Sequence, residues 1–386
     1  MSARNTRLWP HAAGFLKIML VAALAACGGG GGSGAMSPTV SGYGGGNGSG
    51  TGTGGSGTTA YAVTNLVSDG GTGTAHTDAN LVNGWGIAFN PSGFAWVADN
   101  GTSKSTLYDG NGVVQSLVVS IPAGTTGSAS PTGIVFNGTQ SFKVSSGGTS
   151  APAMFLFVGE AGTLSGWSPT VNANTAITVF DGGSAGKIYK GLAEATFAGN
   201  SYLYATDFHN NTIDVFDGNF NRVTLAGNFT DPSLPAGYAP YGIQQIGGNL
   251  YVTYAKQDAE ARDEVRSAGF GLIDVFDAGG TFVKRFANGG ALNAPWGMAM
   301  APSTFGKFAN ALLVSNFGDG RINAFDASTG QMLGTLSTSD GMPIVIDGLW
   351  GIAFGNGINS QPVDTLFFAA GPSDETHGLF GRIDAK

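Results

Sequence analysis

The chain has 386 residues, 66 of them glycine, with 11% charged and 42% hydrophobic, which suits a turn-rich folded protein and excludes both a highly charged disordered chain and a membrane-helix bundle. A net charge of −8, a pI near 4.8 and no basic run beyond the first residues exclude a nucleic-acid surface, which needs clustered Lys and Arg to displace counterions. The single cysteine rules out an intrachain disulfide and a thiolate zinc cluster.

The first element, residues 1–26, reads as a secretory signal: Arg4, Arg7 and Lys17 flank the run "IMLVAALAA", which is too short to span a bilayer stably. It ends in "LAAC", Leu24 to Cys27, which resembles a bacterial lipobox. That resemblance implies lipidation of Cys27 as the first mature residue. Gly28 in place of Asp points, by the same resemblance, to the outer membrane, on its periplasmic or surface face. Residues 27–60 then form a Gly/Ser-rich stretch without a charged residue, expected to be a flexible tether with a reach of roughly 30 Å.

From Tyr61 to Lys386 the chain repeats itself. Six segments open on glycine followed by an apolar residue, at Gly86, Gly133, Gly191, Gly242, Gly297 and Gly351, and their spacing suits one four-stranded blade per repeat. Each repeat predicts a short "GIAF"-like strand, a second such as "FAWVAD", a third such as "IDVFD" with period-two alternation, and a weaker fourth after an Asp-Gly or Ala-Gly-Gly turn. The last repeat stops after "GLFGRID", while "YAVTNLVSD" stands before the first as a strand without a blade. The predicted fold over 61–386 is therefore all-β: a six-bladed β-propeller of four-stranded blades, closed by an N-terminal strand that completes the last blade.

Lines such as "WGIAFNPSGFAWVADNG" and "YLYATDFHNNTIDVFDG" resemble NHL-type propeller repeats, and the whole region is similar to a family of secreted bacterial six-bladed propellers. The resemblance implies fold more than activity, because propellers host binders, scaffolds, lactonases, lyases and oxidoreductases.

Propeller topology brings the start of each innermost strand and the loop between second and third strands to one face. Asp99, Glu160, Asp207, Tyr254 and Asn316 are read as the residues ending the second strands of blades one to five. Asp99, Glu160, Asp207 and Asn316 are candidate ligands for Ca²⁺ or another divalent cation, since hard ions take oxygen donors from several segments. The same residues equally suit Asx-type turns that cap loop amides. His76, His209 and His377 map to this face, with His76 and His209 the weak candidates for proton transfer. The residue before each repeat glycine is Trp85, Thr132, Lys190, Tyr241, Trp296 and Trp350. Trp85, Tyr241, Trp296, Trp350 and Lys190 thus form a candidate ligand-binding arc, with wedge-filling between blades as the alternative role of the tryptophans.

Blade four carries the densest charge, "AKQDAEARDEVRSAG", expected as a solvated insertion or a lid over the same face. Nothing in the sequence matches a P-loop, a dinucleotide fingerprint or a nucleophile elbow, so no organic cofactor is expected. The expected function is a monomeric, lipid-anchored envelope head that binds a small molecule, a glycan or an envelope protein. The alternatives are a divalent-metal-dependent hydrolase or lyase, implied by the propeller resemblance, and a non-catalytic scaffold.

Overall fold

The computed structural model describes residues 60–70 and 73–386. The signal, Cys27 and the tether lie outside the described residues.

Six blades of four antiparallel strands follow one another around an axis, the last of them extended at its outer edge by the two-residue strand His76–Thr77. Their innermost strands are Gly84–Phe89, Pro131–Phe136, Tyr189–Phe197, Tyr238–Ile246, Pro295–Met300 and Leu349–Phe354. Blades one to five are each built from consecutive sequence. Blade six takes its outer strand from the other end of the head: Tyr61–Ser68 runs antiparallel to Leu379–Ala385, with Tyr61 opposite Ala385 and Ser68 opposite Leu379. Tyr61 also reaches blade five, where its hydroxyl donates to the Phe305 carbonyl and accepts from the Phe308 amide. Blade two carries an extra hairpin, Lys143–Ser146 with Thr149–Pro152, between its first and second strands.

The buried apolar side chains fall into seven clusters. Six fill the wedges between neighbouring blades, as alternating apolar strands facing both ways require. The seventh lies on the axis and is described below.

The repeat glycines set how closely the blades converge. A Cβ added at Gly86, Gly191, Gly242, Gly297 or Gly351 would lie 2.0–2.8 Å from the carbonyl oxygen of Thr132, Tyr241, Trp296, Trp350 or Trp85 respectively, and one at Gly133 would lie 2.4 Å from the Leu192 amide. Each inner strand therefore presses its bare Cα against the backbone of the next blade, and the sixth contact returns to the first blade. Buried hydroxyls reinforce these joints: Thr206 donates to the Tyr241 carbonyl at 2.6 Å and Ser315 to the Trp350 carbonyl at 2.6 Å. At the glycine level the axial space is only about 40 Å³, close to the volume of a single water.

Candidate functional site

The face holding the second-to-third strand loops has an aromatic plug at its centre. Trp350 stacks on Trp85 at 3.5 Å and on Phe317 at 3.7 Å, so both of its faces are covered. Trp296 meets both Trp85 and Trp350 edge-on at 5.9 Å, and Tyr241 contacts Phe208 and Trp350. Blades one and five, or four and six, are not neighbours, and such contacts exist only because these rings meet across the axis.

This corrects the expected ligand-binding arc. Trp85, Tyr241, Trp296 and Trp350 are buried and spend their faces on one another, leaving none for a sugar. Nor do the tryptophans fill wedges. Large rings sit here because six strands converging on glycines leave a funnel at this end, and apolar burial fills it. Two indole N–H groups are satisfied, Trp296 by the Lys190 carbonyl and Trp350 by Asn83, whereas Trp85 Nε1 has no acceptor among the described residues.

Lys190 lies over this plug, 1% exposed, with its ammonium 5.2 Å from the Trp85 ring. It donates to Glu160 at 2.5 Å and to Asp263 at 3.3 Å. Burial alone would lower the lysine pKa, but the carboxylates of Glu160 and Asp263 more than offset this and hold it above its ordinary value. Glu160 is likewise held below its usual range: burial opposes ionisation, while Lys190, an Asn100 amide at 3.0 Å and the charge of Arg262 favour it more.

The four expected metal ligands are not brought together. Asp99 is fully buried within blade one, accepts a hydrogen bond from Thr106, and is pushed well above the carboxylate range by burial. Glu160 serves Lys190. Asp207 accepts from the Lys187 ammonium at 3.0 Å, from the Ile188 amide, and from both the backbone and side-chain nitrogens of Asn210. Asn316 donates to the Ala291 carbonyl and accepts from the Asn293 amide. Among the described residues no three His, Cys, Asp or Glu side chains stand close enough to share an ion. The physical reason is that Glu160 and Asp207 pair with lysines, Asn316 caps its own loop, and Asp99, with one oxygen on Thr106 and the other unpartnered, is buried inside blade one away from the rest. Tyr254 does not end its strand, which continues to Lys256.

The histidines separate as well. Residues His76–Thr77 pair in parallel with Val67–Ser68 beyond the outer strand of blade six, so His76 stands at the perimeter and not at the mouth. His377 contacts Asp69 at 2.8 Å. His209 lines a cleft. Its Nδ1 lies 3.2 Å from the Ala261 carbonyl. A carbonyl only accepts, so Nδ1 carries the hydrogen and the neutral ring keeps its lone pair on Nε2. Gly186, held at φ +69°, leaves room for that edge of the ring: a Cβ there would come 3.5 Å from Nε2.

The cleft lies between blades two and three, has a volume of about 410 Å³, and is lined by Glu160, Lys187, His209, Glu260 and Arg262 with hydroxyl and glycine loops around them. Its roof is the blade-four insertion. Residues 257–270 cross the mouth: Gln257 donates to the Phe208 carbonyl, Glu264 accepts from the Tyr241 hydroxyl at 2.6 Å, and Arg266 packs 4.2 Å from the Phe317 ring. On the far side of the mouth Glu375 accepts from Asn83 at 3.1 Å and is pushed up to about 7, mainly by burial and then by the charges of Glu264 and Glu160. It sits in a turn where Ser373, Asp374 and Glu375 all have positive φ, a strained stretch of the kind that concentrates at functional loops. The opposite face has a separate hollow of about 390 Å³, lined by Ile87, Gln244, Met298, Met300 and Phe354 among others.

Sequence reasoning found Glu160, Lys190 and His209 but not Arg262 or Glu375. Their signal was the charge density of "AKQDAEARDEVRSAG" in blade four and the acidic pair Asp374 and Glu375 in the second-to-third loop of blade six.

No protein-family model matches the chain. A solved structure from Bacteroides thetaiotaomicron, titled a protein of unknown function, shares the fold at 12% identity with a TM-score of 0.51, covering 84% of this chain and 76% of its own. In sequence, "Uncharacterized protein R648" of Acanthamoeba polyphaga mimivirus is 37% identical over 334 residues, covering 84% of this chain and 80% of that protein. "Uncharacterized protein L690" of the same virus is 36% identical over 330 residues, covering 84% and 85%. These relatives are viral, whereas the resemblance read from the sequence was to secreted bacterial propellers. The chain belongs to the propeller family that includes the mimivirus proteins R648 and L690.

Proposed function

We propose that this propeller is a binding head that takes a small polar molecule into the cleft between blades two and three. The observation that carries the reading is His209, whose Nε2 is left as an acceptor in a cleft that Glu160 and Arg262 also line. With the tryptophan faces internal, recognition rests on hydrogen bonds and charge. A thermal-shift screen of sugars, amino acids and nucleotides against the intact protein tests it. A ligand whose affinity falls at least tenfold in both His209→Ala and Arg262→Ala supports the cleft; no saturable ligand, or hits indifferent to both changes, removes it.

A catalytic version of the same reading is favoured by the tautomer of His209. An imidazole fixed through Nδ1 with a bare Nε2 has the form of a general base, which suits proton abstraction or activation of water without any metal. His209→Gln would then abolish turnover while leaving binding within a few-fold.

We also propose, from the sequence alone, that Cys27 carries a lipid and that the head works tethered at an envelope. Metabolic labelling with an alkyne-bearing palmitate should mark the protein and fail to mark Cys27→Ser.

A further inference from the structure

The residue before the repeat glycine is aromatic in four blades and threonine in blade two, but in blade three it is Lys190. A wholly buried ammonium on an aromatic plug is costly unless carboxylates compensate it, and such groups cluster at binding sites. Glu160 of blade two compensates Lys190 at 2.5 Å from within the rigid ring. The second carboxylate comes from elsewhere: Asp263, two-thirds exposed on the blade-four insertion, reaches Lys190 at a longer 3.3 Å. The next residue, Glu264, takes the buried Tyr241 hydroxyl. Two neighbouring carboxylates on one strap thus satisfy two donors fixed on the axis, one from blade three and one from blade four.

We propose that the channel mouth is a binding site for an acidic peptide segment, and that Asp263 and Glu264 of the protein's own insertion occupy it as an internal copy of that ligand. The donors belong to the scaffold; the acceptors belong to a surface loop that also meets it through the Gln257 side chain on the Phe208 carbonyl, the Ala261 carbonyl on His209 and Arg266 over the Phe317 ring. The loop returns to its third strand through Gly269, at φ +83°, whose amide donates to the Leu292 carbonyl at 2.9 Å, and it leaves the second strand through Gln257, whose amide donates to the Gly237 carbonyl at 2.8 Å, so the carboxylates lie on a strap held at its two ends. A segment with two adjacent carboxylates can reproduce both contacts, so a partner chain competes with the strap on equal chemical terms. This inference goes beyond the cleft between blades two and three and does not rest on it.

The test uses the full chain and the strap sequence supplied in trans, the acetylated and amidated hexapeptide Ala-Arg-Asp-Glu-Val-Arg. Asp263→Asn with Glu264→Gln keeps the shape of the strap but removes its charges; Glu264→Gln alone serves if the double variant fails to fold. The expected result is saturable binding of the peptide by the variant, at least tenfold tighter than by the unaltered protein, read by calorimetry or by tryptophan fluorescence. The peptide with Asn-Gln in place of Asp-Glu should not bind, and Tyr241→Phe added to the variant should weaken binding severalfold. Equal affinity in altered and unaltered protein, no binding by the variant, or indifference to Tyr241→Phe would overturn the proposal.

Discussion

Raising the pH should loosen this protein through Glu375. Its carboxyl moves from an ordinary 4.5 to about 7 in the folded state, mainly because it is buried, with Asn83 opposing the shift and Glu264 and Glu160 adding to it. A raised acid pKa means that the folded form binds the proton more tightly than the unfolded chain. Stability is therefore full below about pH 4.5, falls as pH rises through about 7, and is level above that. At 1.36 kcal/mol per unit the shift corresponds to roughly 3 kcal/mol, and partial access to water brings the expected loss to about 2 kcal/mol. Glu375→Gln keeps an acceptor for Asn83 and removes the titration. Asp274 and Glu194, both also raised to about 7 by burial, add slopes of the same sign, so the diagnostic quantity is the difference between the two proteins. Urea unfolding at pH 5, 6, 7 and 8 should show Glu375→Gln gaining about 2 kcal/mol on the unaltered protein between the ends of the series. A difference that stays constant with pH would refute the assignment of a buried, proton-holding Glu375.

Three further outcomes follow from the scaffold. Gly242→Ala places a Cβ 2.0 Å from the Trp296 carbonyl and should cost about 3 kcal/mol, seen as a lowered urea midpoint with unchanged slope. Asp207→Ala leaves the Ile188 and Asn210 donors unpaired and Lys187 with only Asp214, so it should also cost about 3 kcal/mol; a loss within 0.5 kcal/mol would mean that this ion pair is dispensable. Removing Tyr61–Ser68 strips blade six of its outer strand and Tyr61 of its contacts with Phe305 and Phe308, and should yield an aggregating head by light scattering.

The blades were legible because each needs a glycine at the same register: the spacing of Gly86 to Gly351 reports a backbone contact that recurs in every repeat. The unpaired "YAVTNLVSD" was legible for a related reason, since a blade short of one strand and a strand short of a blade answer each other. The site was read less well. The sequence puts Trp85, Trp296 and Trp350 at equivalent positions but carries no information on whether rings at equivalent positions face a ligand or one another across an axis. Asp207 looked like a free carboxylate because its partner Lys187 sits before the innermost strand, twenty residues away, in a stretch without charge periodicity. Lys190 was placed with the aromatic arc; one of its partners, Asp263, lies on a strap from another blade, which no repeat comparison can locate.

The glycine-to-carbonyl joints have one more consequence. With about 40 Å³ at its waist and stacked indoles above, the axis is narrow at the glycines and filled by rings at the mouth. The hollow by Met298 and Phe354 and the cleft beside His209 therefore lie at opposite ends of one narrow axis. Five of the six joints around that axis meet a carbonyl oxygen and the sixth, at Gly133, meets the Leu192 amide, so the two ends are joined through one closed ring of backbone contacts.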